Sequence, residues 1–175
     1  MEKKKVGNQL YFAYGMNTNV DSMASRCPNA ISIGKAFLDS HKFVFRGVAD
    51  IDYTGNPSDR VEGALWLITP ECEASLDSLE GYPTFYTKEY NWDYHDVGIM
   101  YYIMTDKSKK SPYHYPSEFY KDCLEEGYKT FGLNLNQLKS ALKGLKEPEE
   151  RLSYAKLKEI LETQYETWPP KGGLE

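Results

Sequence analysis

A strand that ends on a glycine turn is the feature of this sequence best suited to chemistry. Residues 10–13 (Leu-Tyr-Phe-Ala) are apolar and numerous enough for a buried strand. Gly15 follows, and we expect it to adopt a backbone angle that would strain another residue. Asn17 can accept from a backbone donor two residues later, and a helical pattern begins at Asp21. Such a turn presents N–H groups to a carboxylate or oxyanion, although an ordinary core turn has the same pattern.

A glutamate at the end of a helix is the second feature that could do chemistry. Thr69 predicts an N-cap, Pro70 suits the first helical position, and Gly81 ends the helix directly after Glu80. A carboxylate there faces the negative end of the helix dipole, which raises its proton affinity. The aromatic residues among 82–86 could shield it from water. Glu80 is therefore a candidate proton-transfer group, with an exposed surface glutamate as the simpler alternative.

The commoner catalytic signatures do not occur. His41, His95 and His114 have no partner at metal-ligand spacing, so we expect neither a metal nor a cofactor. The sequence contains no G-x-S-x-G elbow and no G-x-x-x-x-G-K-[ST] loop. What remains suits proton transfer on a small anionic substrate.

Composition restricts the partners and the compartment. A chain of 175 residues suits one domain, and its net charge of −5, with basic and acidic residues interspersed, argues against nucleic acid. Residues 1–5 are basic but precede only a short apolar run, so we expect no signal peptide and no membrane span. Three widely spaced cysteines favour a reducing compartment and hence a cytoplasmic protein. Nothing in the pattern indicates an oligomeric state.

Hydrophobic patterns predict a body of strands followed by helices. Five further strands are expected at 31–38, 43–51, 61–68, 87–94 and 99–105. The first two should form a hairpin through 39–42, and Gly63 suggests a bulge or the close approach of another backbone. Helices are expected at 20–26, 70–80, 118–131, from Asn134 or Asn136 to about 145, and at 154–166. We expect residues 1–132 to form the main domain and 133–175 a helical extension with a frayed tail.

Three motifs in order resemble those of the gamma-glutamylcyclotransferase-like family. They are Tyr14-Gly15-Met16-Asn17 after the first strand, residues 76–82 (Leu-Asp-Ser-Leu-Glu-Gly-Tyr) and residues 116–120 (Pro-Ser-Glu-Phe-Tyr). The resemblance covers about residues 9–132. Family members carry Tyr-Gly-Ser-Asn where this chain has Met16, so a serine hydroxyl is missing. A loop that acts through its backbone N–H groups should tolerate this loss.

The resemblance implies a fold and a set of site residues. The fold would be α+β, a mixed β-barrel of about five to seven strands with surrounding helices and a pocket at its mouth. Main-chain donors of one turn would hold the γ-glutamyl group: Tyr14, Gly15, Met16, Asn17 and Thr18. Glu80 would be the catalytic acid and base. Tyr86 and Tyr120 would line the pocket and orient that carboxyl.

The resemblance also implies a reaction. The α-amine of a γ-glutamyl compound would attack its own γ-carbonyl, which yields 5-oxoproline and releases an amine or amino acid without consuming water. The substrate could be a γ-glutamyl amino acid, glutathione, a γ-glutamyl-amine or a biosynthetic intermediate. The alternative is a non-catalytic binding or regulatory module on the same fold. Met16 favours that alternative, and Glu80 speaks against it.

Overall fold

The described residues form a mixed α+β fold of strands and helices. The computed structural model describes residues 7–92, 97–110 and 112–147. Its strands are β1 (Gln9–Ala13), β2 (Ile31–Asp39), β3 (His41–Phe45), β4 (Ala49–Tyr53), β5 (Arg60–Ile68), β6 (Tyr86–Asn91) and β7 (Ile99–Met104). Its helices are α1 (Val20–Arg26), α2 (Pro70–Leu79), α3 (Glu118–Phe131) and α4 (Asn136–Leu142). The predicted α+β class with five to seven strands is confirmed.

Strand β1 lies at the centre of a five-stranded sheet with the order β2-β5-β1-β7-β6. It runs antiparallel to β5 and parallel to β7. Tyr11 and Ala13 face a core formed with α1 and α2, whereas Phe12 faces a second core formed with β3, β4, α3 and α4. Because both faces of β1 are buried, its residues 10–13 are continuously apolar rather than alternating. The turn after β1 contacts both α1 and α3.

The predicted hairpin between 31–38 and 43–51 is wrong. Strand β2 pairs with β5, and the second predicted strand is itself a hairpin of β3 and β4 in a separate two-stranded sheet. Ser40 adopts a left-handed φ of 60°, which turns the chain out of the five-stranded sheet. Gly47, with a φ of 79°, allows the tight turn between β3 and β4. An apolar run thus revealed the strands but not their partners.

Local capping signals placed the helices well. Helix α1 has the predicted bounds, but Asn19 rather than Asn17 caps it by accepting from the Ser22 N–H at 3.0 Å. Thr69 caps α2 as predicted, and Gly132, with a φ of 63°, ends α3. The predicted helix 154–166 and the last two residues of the strand predicted at 87–94 lie outside the described residues. None of the described helices combines the length and hydropathy of a membrane span.

Ion pairs and a hydrogen bond join helix α2 to strands β6 and β7 of the sheet. The Nζ of Lys88 on β6 lies 2.6 Å from the Glu73 carboxylate and 2.7 Å from that of Asp77. The Tyr102 hydroxyl on β7 also donates to Asp77, at 2.6 Å. These contacts fix the direction in which α2 presents Glu80, which follows its last residue.

Strand β5 confirms the expected close approach at Gly63. A Cβ at this position would lie 2.4 Å from the carbonyl oxygen of Ala13 and 2.7 Å from the ring of Phe12. The absence of a side chain therefore allows β5 to pack directly against the end of β1, where the turn to the site begins. The bulge of this sheet lies elsewhere, between Ser32 and Gly34 of β2.

Candidate active site

A cavity of about 280 Å³ lies beyond the C-terminal end of β1. Its walls come from the turn after β1, the ends of α1 and α2, the β3–β4 turn, β6, β7 and α3. Most of the residues predicted from the sequence line it: Tyr14, Gly15, Met16, Asn17, Glu80, Tyr86 and Tyr120. Residues that are far apart in the chain are thereby brought to one site.

Thr18 does not line the cavity but stabilises the turn through hydrogen bonds. Its side chain is fully buried, and its Oγ1 donates to the Gly15 carbonyl at 2.9 Å. Its backbone N–H donates to the same carbonyl, also at 2.9 Å. Two hydrogen bonds from one residue therefore hold Gly15 in place.

Gly15 packs tightly against β4 and α3. Its φ is −105°, so the predicted special backbone angle is not a left-handed one. A Cβ at this position would lie 3.0 Å from the Ala49 Cβ and 3.2 Å from the Tyr120 hydroxyl. The lack of a side chain lets the turn approach β4 and α3 closely enough to form one wall of the cavity.

Asn17 links several walls of the cavity through its side chain. Its Nδ2 donates to Glu80 Oε1 at 3.2 Å and to the Tyr11 hydroxyl at 2.9 Å. Its Oδ1 accepts from the Arg26 guanidinium, and its backbone carbonyl accepts from Trp66 Nε1 at 3.0 Å. The sequence predicted a local backbone partner for this side chain, whereas its partners lie on β1, on α1 and beyond the end of α2.

The Glu80 carboxyl is suited to proton transfer near neutral pH. Burial raises the pKa of Glu80 to about 7, while the nearby Arg26 charge and the hydrogen bond from Asn17 act in the opposite direction. Both protonation states are therefore populated at pH 7, as a general acid and base requires. We predicted the direction of this pKa shift from the helix dipole, whereas burial is its largest cause.

This raised pKa predicts how a Glu80→Gln substitution changes stability with pH. The folded-state pKa of about 7 exceeds the ordinary value of 4.5, so folding favours the protonated form. The stability that Glu80 provides is complete below about pH 4.5 and is lost as pH rises through about 7. Glutamine cannot ionise, so between pH 5 and 9 the variant should gain about 2–3 kcal/mol relative to its parent in urea unfolding. A difference that is constant with pH would contradict the raised pKa.

The backbone of one residue of β4, Ala49, holds both predicted pocket tyrosines. The Tyr86 hydroxyl donates to the Ala49 carbonyl at 2.6 Å, and the Ala49 N–H donates to the Tyr120 hydroxyl at 3.0 Å. Burial raises the pKa of Tyr120 to about 12 and that of Tyr86 well above 10, so both are neutral at physiological pH. Their hydrogen bonds fix the position of β4, and Asn17 is the residue that bonds to Glu80.

Several lining residues were not predicted from the sequence. They are Tyr11, Arg26, Val48, Ala49, Leu79, Phe85 and Tyr102. Arg26 belongs to a correctly predicted helix, but a helical pattern does not show which polar side chain turns back towards the preceding turn. Val48 and Ala49 were missed because the β3–β4 hairpin was read as one strand. Gly47 permits a turn there and was the residue of this run from which the turn could have been predicted.

The two described histidines, His41 and His114, do not line this cavity. His41 and His114 each bond to a backbone carbonyl of their own segment, and His95 lies outside the described residues. Within the described ranges, no group of three His, Cys, Asp or Glu side chains could hold a metal ion.

Comparison with protein families shows the family to which the chain belongs. The family model described as "Gamma-glutamyl cyclotransferase, AIG2-like" matches residues 11–122, a span that contains every lining residue of the cavity. The chain belongs to this family. The family match extends from within β1 into α3, so it includes the glycine turn, Glu80 and both pocket tyrosines.

Solved structures of similar fold agree with the family. One, named gamma-glutamyl cyclotransferase, is 25% identical, with coverage of 89% of this chain and 99% of its own and a TM-score of 0.64. The uncharacterized protein loc79017 from Homo sapiens has the same identity and coverage and a TM-score of 0.63. YkqA from Bacillus subtilis shares the fold at 19% identity, with 81% and 56% coverage and a TM-score of 0.64. No curated protein sequence matches the chain significantly.

Proposed function

We propose that this protein is a gamma-glutamyl cyclotransferase that converts a small γ-glutamyl compound into 5-oxoproline. The observation that carries the proposal is the Glu80 carboxyl, which has a pKa of about 7 and lines one small cavity with the Gly15–Asn17 turn. Family membership supports the same reaction class. The three cysteines, all free thiols, support the expected cytoplasmic location.

The turn after β1 would hold the anionic part of the substrate. The N–H groups of Thr18 and Asn19 are used within the turn, where they bond to the carbonyls of Gly15 and Met16. The N–H groups of Gly15, Met16 and Asn17 belong to residues of the turn that line the cavity, and that of Met16 also interacts with the Tyr120 hydroxyl. They would bind the substrate carboxylate or the oxyanion that develops on the γ-carbonyl. A methionine at position 16 retains its N–H group, so the loss of the family serine leaves these backbone donors intact.

Glu80 would move the two protons that pass from the substrate α-nitrogen to the leaving nitrogen. As a carboxylate it takes the first proton from the α-ammonium, and the neutral amine then attacks the γ-carbonyl carbon. The new C–N bond closes the ring, Glu80 gives the first proton to the leaving nitrogen, and the bond to that nitrogen breaks. The ionised Glu80 then takes the second proton from the cationic ring nitrogen, which becomes the neutral lactam, and passes it to the released amine, which departs as an ammonium. No water is consumed. Both reacting groups belong to one molecule, so the protein needs only to fold the glutamyl chain and transfer these protons.

A panel of γ-glutamyl compounds tests the proposal. The full chain is incubated with γ-glutamyl amino acids, glutathione and γ-glutamyl-amines, and 5-oxoproline is measured. We expect at least one compound to give 5-oxoproline at a rate proportional to protein concentration. Binding of a compound without release from any would instead favour the non-catalytic module, for which Met16 in the cavity wall is the supporting observation.

The pH profile of the reaction gives a further prediction. Because only ionised Glu80 can accept a proton, kcat/KM should fall about tenfold per pH unit on the acid side of a midpoint near the Glu80 pKa of about 7. The measurement is kcat/KM for the best substrate of the panel between pH 5 and 9. A flat profile between pH 5 and 8 would rule out Glu80 as the base.

A further inference from the structure

Arg26 is the charged side chain that faces Glu80 across the cavity. Among the residues that the structure describes, the other titratable groups that interact with Glu80 are tyrosines on β1, the turn, β6, β7 and α3: Tyr11, Tyr14, Tyr86, Tyr102 and Tyr120. Burial raises the pKa of each of these phenols, so they are neutral throughout the range in which Glu80 titrates. Among the described lining residues, Arg26 and Glu80 therefore carry the only charges.

Arg26 decides which way the Asn17 side chain points. An amide can present either its oxygen or its nitrogen, and its hydrogen-bond partners select the orientation. The guanidinium only donates, so it requires Asn17 Oδ1 on its side, which turns Nδ2 towards Glu80 Oε1. The reverse orientation would place Nδ2 against the guanidinium and Oδ1 against the carboxylate. Both of those contacts would be repulsive.

The helices that carry Arg26 and Glu80 are joined directly. Arg26 is the last residue of α1, and its backbone carbonyl accepts from the Ser75 hydroxyl of α2 at 2.9 Å. Next to it, the Cys27 thiol lies 3.6 Å from the Cys72 carbonyl, also on α2. The guanidinium and the carboxyl are thus held at a fixed separation by the packing of two helices.

We propose that Arg26 is a positioning residue that acts through Asn17 to orient the Glu80 carboxyl and keep it ready to accept the substrate proton. The proposal rests on the proposed function and adds a residue that the sequence did not identify. Burial alone favours a protonated carboxyl, which cannot take up a proton. The Arg26 charge and the Asn17 hydrogen bond both favour the ionised form and oppose this effect.

The titration of Glu80 tests this relay without any need for turnover. The midpoint of the Glu80 side-chain carboxyl is measured by ¹³C NMR in the parent, Arg26→Met, Asn17→Ala and the double variant. We expect each single substitution to raise the midpoint by about one pH unit. The midpoint shift of the double variant should be smaller than the sum of the two single shifts, because Arg26 acts partly through Asn17. Arg60→Met is the matched control; Arg60 is exposed on β5, does not line the cavity, and its loss should not move the midpoint.

Kinetics provide a second readout that a purely structural role would not reproduce. A midpoint raised by one pH unit lowers the ionised fraction of Glu80 at pH 7 about fivefold, so Arg26→Met should lower kcat/KM about fivefold at that pH. At pH 9 Glu80 is ionised in both proteins, and kcat/KM of the variant should recover towards the parental value. Arg26→Lys keeps the positive charge and a hydrogen-bond donor group, so its Glu80 midpoint should lie between those of Arg26→Met and the parent. It also replaces Arg26→Met in the experiment if that variant does not fold. An unchanged midpoint in Arg26→Met, or shifts that add fully in the double variant, would overturn the relay. An inactive parent with the expected NMR shifts would instead count against the proposed function alone.

Discussion

Glu80→Gln should lower the rate of 5-oxoproline formation by about 10²–10⁴-fold, the usual contribution of a general acid and base. Glutamine has the shape of glutamate and still offers an oxygen to the Asn17 Nδ2, which donates to Glu80 Oε1 at 3.2 Å. It cannot accept the proton of the substrate α-ammonium. Binding of the substrate should therefore persist while its conversion stops. The measurement is kcat and KM for the best γ-glutamyl substrate in both proteins.

The control for this substitution lies on the same helix. Glu71 is exposed in the first turn of α2, far along the helix from the cavity, so Glu71→Gln makes the same chemical change away from the site. We expect it to retain the parental kcat. Turnover by Glu80→Gln within a few-fold of the parent would remove Glu80 from the mechanism.

Gly127→Ala should reduce the free energy of unfolding by at least about 3 kcal/mol, at the upper end of overpacking effects. Gly127 is buried in α3 where the helix crosses the turn after β1. A Cβ there would lie 2.5 Å from the Thr18 carbonyl carbon and 2.6 Å from both the Thr18 oxygen and the Asn19 nitrogen. These are backbone atoms, so the clash can be relieved only by separating α3 from the turn. The intrinsic preference of alanine for helix, about 1 kcal/mol over glycine, is too small to compensate.

Urea unfolding of the parent and variant measures this loss. Lys129→Ala, at an exposed position of α3, is the control and should change the free energy of unfolding by no more than about 0.5 kcal/mol. Unchanged stability of Gly127→Ala would show that α3 does not pack against the turn as described. That turn also carries Gly15 and Asn17, so the variant molecules that do fold should bind substrate more weakly than the parent.

The sequence predicted those features whose causes are local. Thr69 caps α2, and Gly132 ends α3 in a left-handed conformation, so these helix boundaries could be read from neighbouring residues. The central strand was recognisable because burial on both faces makes it apolar throughout. Glu80 stood out because it occupies a helix end where a basic residue is usual.

The features that were missed depend on contacts between distant segments. Strand β2 pairs with β5 rather than with β3, and a hydrophobic run carries no information about its partner. Ala49 holds Tyr86 and Tyr120 through its peptide groups, so its side chain gave no sign of its role. Arg26 reaches Asn17 only once α1 has folded back beside the turn, and this orientation cannot be read from helical periodicity.

One NMR experiment tests the central claim, that the Glu80 carboxyl and the Gly15–Asn17 turn form a single reactive site. The ¹⁵N-labelled parent and Glu80→Gln are each mixed with the best γ-glutamyl substrate, and amide shifts and 5-oxoproline are followed in the same tube. We predict that the amides of Gly15, Met16 and Asn17 shift in both proteins and that 5-oxoproline accumulates only with the parent. Accumulation at the parental rate with the variant, or shifts confined to residues outside the cavity, would contradict the claim.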